Sequence, residues 1–415
     1  MAVIGSGISG LTAAYLLQRR YDVRLFEADD RLGGHSHTHD VQTPDGRLAA
    51  VDSGFIVHNE RTYPNLARLF RELDVSTQDS EMSMSVRCDG CGLEYAGARG
   101  LAGLFAQPRN VSRPRYLRML AEVTRFHRHA RRVLAGDVDD VTIGSFLAIG
   151  GYSRYFVRHF AIPVIAAVWS AGPELSMRYP ARYLFEFLGN HGMLSVTGSP
   201  RWKTVTGGSR TYVERAVKGL SALELSTPVR AVHRNPDGVE IRDDADVVHR
   251  ADAFVLATHA DTALGLLADP TDAEREVLGT FRYSRNETLL HSDTSLLPRA
   301  AGARASWNYL KNACADRADQ PVLVSYQMNR LMRLDEPVDY VVTLNAEDRV
   351  DSAKVIDRMV YQHPLYTPES VAAQRRLGEL NTGRTAYAGA YHGWGFHEDG
   401  CLSGVRAAAA HGVRW

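Results

Sequence analysis

Ala2-Val3-Ile4 runs straight into Gly5-Ser6-Gly7-Ile8-Ser9-Gly10 and then into the Ala- and Leu-rich stretch Leu11 to Arg19. This order of strand, G-x-G-x-x-G turn and helix constrains the fold more than any other feature of the chain. Gly5 permits the tight turn, Gly7 lets backbone approach a pyrophosphate, and Gly10 lets helix and strand pack closely. The helix start, with Ser9 beside it, favours phosphate charge. Asp22 to Phe26 predicts a second strand ending at Glu27, where a carboxylate would meet the ribose hydroxyls of an adenosine. The unit predicted is Rossmann-type α/β and binds a dinucleotide.

Other classes fall away on composition. Lys plus Arg and Asp plus Glu both number 48, so bulk charge draws no nucleic acid to this chain. Four cysteines in 415 residues are too few for a disulfide scaffold and fit a reducing cytoplasm. Cys88 and Cys91 form a C-x-x-C that reads as a hairpin turn, because no second pair stands at zinc-ligand spacing; no metal is expected. The start of the chain reads as strand and turn rather than signal peptide, and Ala161 to Val168, interrupted by Pro163, is too short to span a bilayer.

The residues after Glu27 decide which dinucleotide is expected. The run EADDRLGGHSHTHD resembles the E-A-x-x-R-x-G-G signature of the flavin amine oxidase, protoporphyrinogen oxidase and phytoene desaturase superfamily. The resemblance implies noncovalently bound FAD, with Ala28, Arg31, Gly33 and Gly34 along its ribityl and pyrophosphate groups. His35 stands where the family usually has arginine, and a histidine can still donate a hydrogen bond. It also implies the fold: a glutathione-reductase-like FAD domain with a second α+β substrate domain. Residues 1-75, 200-270 and 380-415 are expected to form the first, and 76-199 and 271-379 the second.

Further stretches agree. Pro228 to His233 and Gly238 to Ile241 alternate around an Asn-Pro-Asp-Gly turn, predicting a hairpin. It resembles the family's adenine-side hairpin, which makes Val229 a candidate for backbone contact to adenine. Gly207-Gly208 precedes a predicted helix, and LVSYQMN and VVTLN read as neighbouring strands. Arg109 to Arg132 holds eight arginines and one acid, Glu122, on a predicted helix with Leu117, Leu120, Val123 and Ala130 on its apolar face. It reads as a solvated face, or as a dock for a membrane surface or an acyl carrier.

The stretch YAGAYHGWGFHEDGCLSG, Tyr387 to Gly404, mixes aromatics, histidines, acids and glycines. By the resemblance, Gly389 closes a strand and Glu398-Asp399-Gly400 leads into a helix from Leu402 to Ala410 that faces the flavin pyrimidine ring. Amides near Gly400, Cys401 and Leu402 would stabilise charge arriving there on reduction. His392, Trp394 and His397 would lie beside the isoalloxazine, either as a packing wall or as the substrate border. The wording of this stretch resembles a bacterial branch of FAD-dependent oxidoreductases linked to modification of unsaturated fatty acids. That implies hydride transfer from an activated C–H of an acyl lipid to flavin N5, with an amine oxidase releasing hydrogen peroxide, a double-bond isomerase or a flavin-binding scaffold as the alternatives.

Overall fold

The computed structural model describes residues 1–136, 141–169, 172–194, 199–315 and 322–415. A five-stranded parallel sheet carries the N-terminal motif, in the order Ala222–Glu224, Arg24–Phe26, Ala2–Ile4, Phe254–Leu256 and Thr385–Tyr387. Ala2, Val3 and Ile4 are all buried, and Val3 is in register with Leu25 on one side and Val255 on the other. Parallel strands covered on both faces read as unbroken apolar runs, which is why these short segments are legible in sequence.

The helix Ile8–Leu17 buries every residue except Tyr15 and shows no amphipathic stripe. It is enclosed because the C-terminal helix His397–Ala410 lies across it. Gly404 allows that crossing: a Cβ there would sit 2.4 Å from the Ser9 carbonyl oxygen, and one at Gly400 would meet Ile8 at 2.6 Å. Two glycines four residues apart thus form a flat strip on one helix face.

The expected hairpin is present as Val229–Asn235 and Gly238–Asp243, and a third strand, Val248–Ala251, extends it. A separate seven-stranded mixed sheet runs in the order Val355–Leu365, Arg282–His291, Val341–Leu344, Val324–Gln327, Trp307–Lys311, Met84–Cys88 and Leu93–Ala96. The LVSYQMN and VVTLN segments are neighbours in it, with Ser325 opposite Thr343. The C-x-x-C turn closes its terminal hairpin.

A helical layer packs on this second sheet around Phe126, Phe146, Phe156 and Phe185. Its long helix, Pro114–Ala135, buries Tyr116, Met119, Phe126 and Ala130 together with Glu122. Of the expected apolar face, Ala130 is buried and Leu120 and Val123 pack against the core, but Leu117 is 41% exposed and the single acid is buried, accepting hydrogen bonds from the Ser153 amide and hydroxyl. A buried carboxylate with two donors is satisfied at a helix start, which periodicity alone does not reveal.

Candidate FAD-binding site

The nucleotide end is assembled by Ser6. Its amide donates to Glu27 at 2.8 Å, and its hydroxyl accepts from the Gly33 amide at 3.1 Å while donating to the same carboxylate. Glu27 also accepts from the Asp29 amide, and its carbonyl receives the Thr227 amide just before Val229. The acid, the first glycine turn, the second glycine doublet and the hairpin start thus converge. Ala28 is exposed at the rim, and Arg31, half-buried, reaches toward the Ser36 carbonyl at 3.5 Å.

Gly33 and Gly34 both take positive φ, 107° and 56°. A Cβ on Gly33 would lie 2.4 Å from the Ser36 carbonyl, and one on Gly34 would press on Gly7 Cα at 3.2 Å. By contrast, a Cβ on Gly7 would meet nothing within 4 Å. The open space beside Gly7, where helix amides point, is a cradle suited to a pyrophosphate.

From this doublet the groove continues to the C-terminal helix. Ser36 shares hydrogen bonds with Tyr212 at 2.5 Å and His397 at 2.9 Å, and His397 stacks on Phe55 with centroids 3.7 Å apart. Residues 392 to 399 all keep some solvent-reachable surface. Yet burial holds the His392 and His397 imidazoles down at about 3 and lifts the Asp399 carboxyl to about 7. Surface that is solvent-reachable but deep in the molecule lines an internal recess. His392 Nε2 and Trp394 Nε1 are buried there without a hydrogen-bond partner among the described residues, as the edges of a ligand-binding cavity would be.

The recess has a second wall, of which only His35 is expected from the sequence. His35 lies 5.0 Å from Tyr361 and 5.5 Å from His363, and His259 stacks on Tyr283 at 4.2 Å. Burial lowers the pKa of His35, His259 and His363, the last to about 4, so this wall is neutral. The HSHTHD and YQHPLY segments, more than 300 residues apart in sequence, held the only signal. The third wall is aromatic: Trp394 packs near Tyr183 and Phe396 stacks on Phe187 at 4.7 Å.

Three expected contacts are corrected. The C-terminal helix begins at His397, not Leu402, because Glu398 and Asp399 suit its first turn. The Gly400 amide already donates to the Phe396 carbonyl, so the amides free to face a ligand are those of His397, Glu398 and Asp399, ahead of Gly400, Cys401 and Leu402. Cys401 is buried against the Thr12 hydroxyl at 3.5 Å and is turned from the groove, in keeping with noncovalent FAD. The Glu398 side chain points elsewhere too: it accepts from the Asn65 and Leu66 amides, both at 3.0 Å, and so caps the helix Pro64–Glu72. Glu398→Ala is expected to cost about 2 kcal/mol, the upper range for loss of a helix cap, and to lower the melting temperature. A melt superimposable on wild type would disprove the cap.

A parallel sheet, a glycine cradle, an acid for a ribose and a second glycine doublet leading to a neutral recess define a dinucleotide-binding flavoprotein. The chain belongs to the family of flavin containing amine oxidoreductases, whose sequence profile matches residues 8–284. AofH of Mycobacterium tuberculosis, which carries the name of a flavin-containing monoamine oxidase, is 28% identical over 265 residues, 59% of this chain and 53% of AofH. The chain thus spans about half the length of the curated relatives it matches. Many solved structures share the fold, and two of them illustrate it. Cyclohexylamine oxidase from Brevibacterium oxydans has TM-score 0.68 at 16% identity, over 99% of this chain and 97% of that one. A CLA-producing fatty acid isomerase from P. acnes has TM-score 0.68 at 18% identity, over 97% and 96%. No described helix is long and apolar enough to cross a membrane.

Proposed function

We propose that this chain is an FAD-dependent oxidoreductase that takes a hydride from an activated C–H of an unsaturated acyl lipid. The observation that carries the reading is the neutrality of the recess. Its histidines are held uncharged, Glu398 is committed to a helix cap, and Asp399 is tied to the Phe396 amide at 2.9 Å with its carboxyl raised by burial. Asp399, at about 7, offers a cationic amine only partial counter-charge there, while an apolar chain packs against Trp394, Phe396 and Tyr183. Bound FAD supplies the hydride acceptor. His392, Trp394 and His397 border the reacting carbon, and the free amides of the C-terminal helix stabilise negative charge arriving at its N-terminus.

Two rival readings have support of their own. The family description and the name of AofH favour an amine oxidase, and the fold shared with a fatty acid isomerase favours a hydride that returns to the same chain. Anaerobic mixing with mono- and polyunsaturated fatty acids is expected to bleach the flavin absorbance, and its persistence with every lipid would sink the proposal. Hydrogen peroxide from an amine panel would establish the oxidase instead, and a product of unchanged mass with a shifted double bond the isomerase. A flavin that no substrate reduces, in a chain that co-elutes with a lipid-modifying enzyme, would leave a binding scaffold.

The acyl substrate would be delivered in the cytoplasm from a membrane surface or a carrier. Arg115, Arg118, Arg128 and Arg132 are exposed along Pro114–Ala135, opposite its buried face. Activity toward fatty acids in anionic vesicles is therefore expected to fall as salt is raised, while activity toward soluble short-chain acids does not.

A further inference from the structure

Outside the flavin recess, one cluster of side chains has no role in the reading above. Cys88, Cys91, Cys314 and His159 place their sulfur and ring nitrogen atoms all within 4.8 Å of one another. Cys88 Sγ and Cys314 Sγ are 3.8 Å apart, and Cys91 Sγ lies 3.6 Å from His159 Nε2. A tetrahedral zinc with bonds of about 2.3 Å to sulfur and about 2.0 Å to nitrogen needs S···S edges near 3.8 Å and S···N edges near 3.5 Å. The two separations match those edges.

We propose that these four residues form a structural zinc site of the Cys3His type. Cys88 ends the strand Met84–Cys88, Cys91 lies in the turn that follows, and Cys314 comes just after Trp307–Lys311, the strand paired in parallel with the first. His159 comes from the helical layer, within a π-helical turn, Val157–Ala161. The metal would therefore tie the edge of the seven-stranded sheet to the helices packed on it. The ligands escape a spacing search because Cys91 and His159 are 68 residues apart and Cys88 and Cys314 are 226 apart.

The surroundings are arranged as such a site requires. His159 Nδ1 lies 3.1 Å from the Tyr155 carbonyl, which orients the ring and leaves Nε2 to face the sulfurs. The turn is held close: a Cβ on Gly90 would meet the Cys314 amide at 2.7 Å, and Arg113 donates to the Cys91 carbonyl at 3.2 Å. Three thiolates around a divalent ion leave one net negative charge, and the Lys311 side chain, 1% exposed, is placed beside the cysteines to balance it. Cys91 and Cys314 keep partial exposure, giving the ion an entry path. A second convergence, His37, His39 and Asp357, is poorer, because both ring nitrogens of His39 are already engaged by Ser53 and Asp357.

Binding exchanges thiol protons for the ion and involves no electron transfer. The test is elemental analysis of the FAD-loaded wild-type chain, expected to hold one zinc per chain, released when a thiol reagent is added. Replacement by cobalt is expected to give thiolate-coordinated tetrahedral bands at wavelengths beyond the flavin absorption. Cys91→Ser and His159→Gln should lower the metal content severalfold, whereas Cys401→Ser should leave it unchanged. Wild-type chain that retains no metal after dialysis from added zinc, with all four thiols titratable, would overturn the proposal. So would an intact mass two hydrogens short, with a Cys88–Cys314 disulfide found in its peptides. Both measurements are made on wild type, so they stand even where a variant fails to fold.

Discussion

A chain carrying Gly10→Ala is expected to purify colourless. The added Cβ would lie 1.9 Å from the Gly5 carbonyl oxygen and 3.0 Å from its carbon, both backbone atoms with no rotamer to escape into. Gly5 itself is pinned by its amide, which donates a hydrogen bond to the Phe26 carbonyl, and would carry a Cβ 2.8 Å from the Ala257 carbonyl, so it cannot give way. The turn must open or the helix must lift from the sheet, at a cost of about 3 kcal/mol or more in a close-packed interior. Either movement displaces the helix amides from the phosphate position. The affinity for FAD should fall about a hundredfold or more, with a lower melting point even in the absence of cofactor.

Gly7→Ala separates the two effects. Gly7 has φ −63°, open to any residue, and its Cβ would meet nothing in the protein. The apo chain should melt as wild type does, while FAD affinity falls about tenfold to a hundredfold because the methyl occupies the cradle. Fluorescence titration with FAD and thermal melts of both apo variants decide the matter. A Gly7→Ala chain that binds FAD as tightly as wild type would place the pyrophosphate elsewhere.

What was legible in the sequence was whatever short-range pattern encodes. The glycine turn, Glu27, the second doublet and the Asn-Pro-Asp-Gly hairpin each fit in a dozen residues, and their chemistry follows from backbone geometry alone. The C-terminal helix starts five residues earlier than the sequence pattern suggests, because Gly400 alone is taken for an amide donor near a ligand. Gly400 and Gly404 instead make room for Ser9 and Thr12 of the crossing helix, a packing relation that involves a segment almost 400 residues away. Of the neutral wall, the sequence marks His35 by its place after the glycine doublet, whereas His259 and His363 escape for the same reason. Each histidine taken singly is unremarkable; only the fold brings them to one recess. The cysteine pair at 88 and 91 looks like a bare turn in the sequence because its partners are equally remote.

Acid is expected to unfold this protein early, and buried histidines are the cause. His58, His191, His291 and His363 are held at about 4, and His392 and His397 at about 3, in each case chiefly by burial, against 6.5 in the unfolded chain. Between about pH 4 and 6.5 the unfolded chain binds protons at these six positions that the folded chain does not, so stability falls as pH falls. Asp52, raised to about 6, and Asp399, raised to about 7, act in the opposite sense: the folded state holds their protons, and their contribution is lost as pH rises through those values. His37 and His127, held by burial at about 3 and about 4, add to the same side, so the histidines outweigh the two carboxyls. At about 1.4 kcal/mol per proton per pH unit, that excess is expected to lower the melting temperature by several degrees between pH 7 and pH 5. His291 isolates one contribution away from the cofactor groove. It accepts the Asp293 amide at 3.1 Å on Nδ1 and lies 2.8 Å from the Thr343 hydroxyl on Nε2, so protonation breaks the first bond. His291→Gln should melt lower at pH 7 yet lose less on acidification. A melting temperature that holds steady or rises from pH 7 to pH 5 would show that these imidazoles reach solvent and protonate in place.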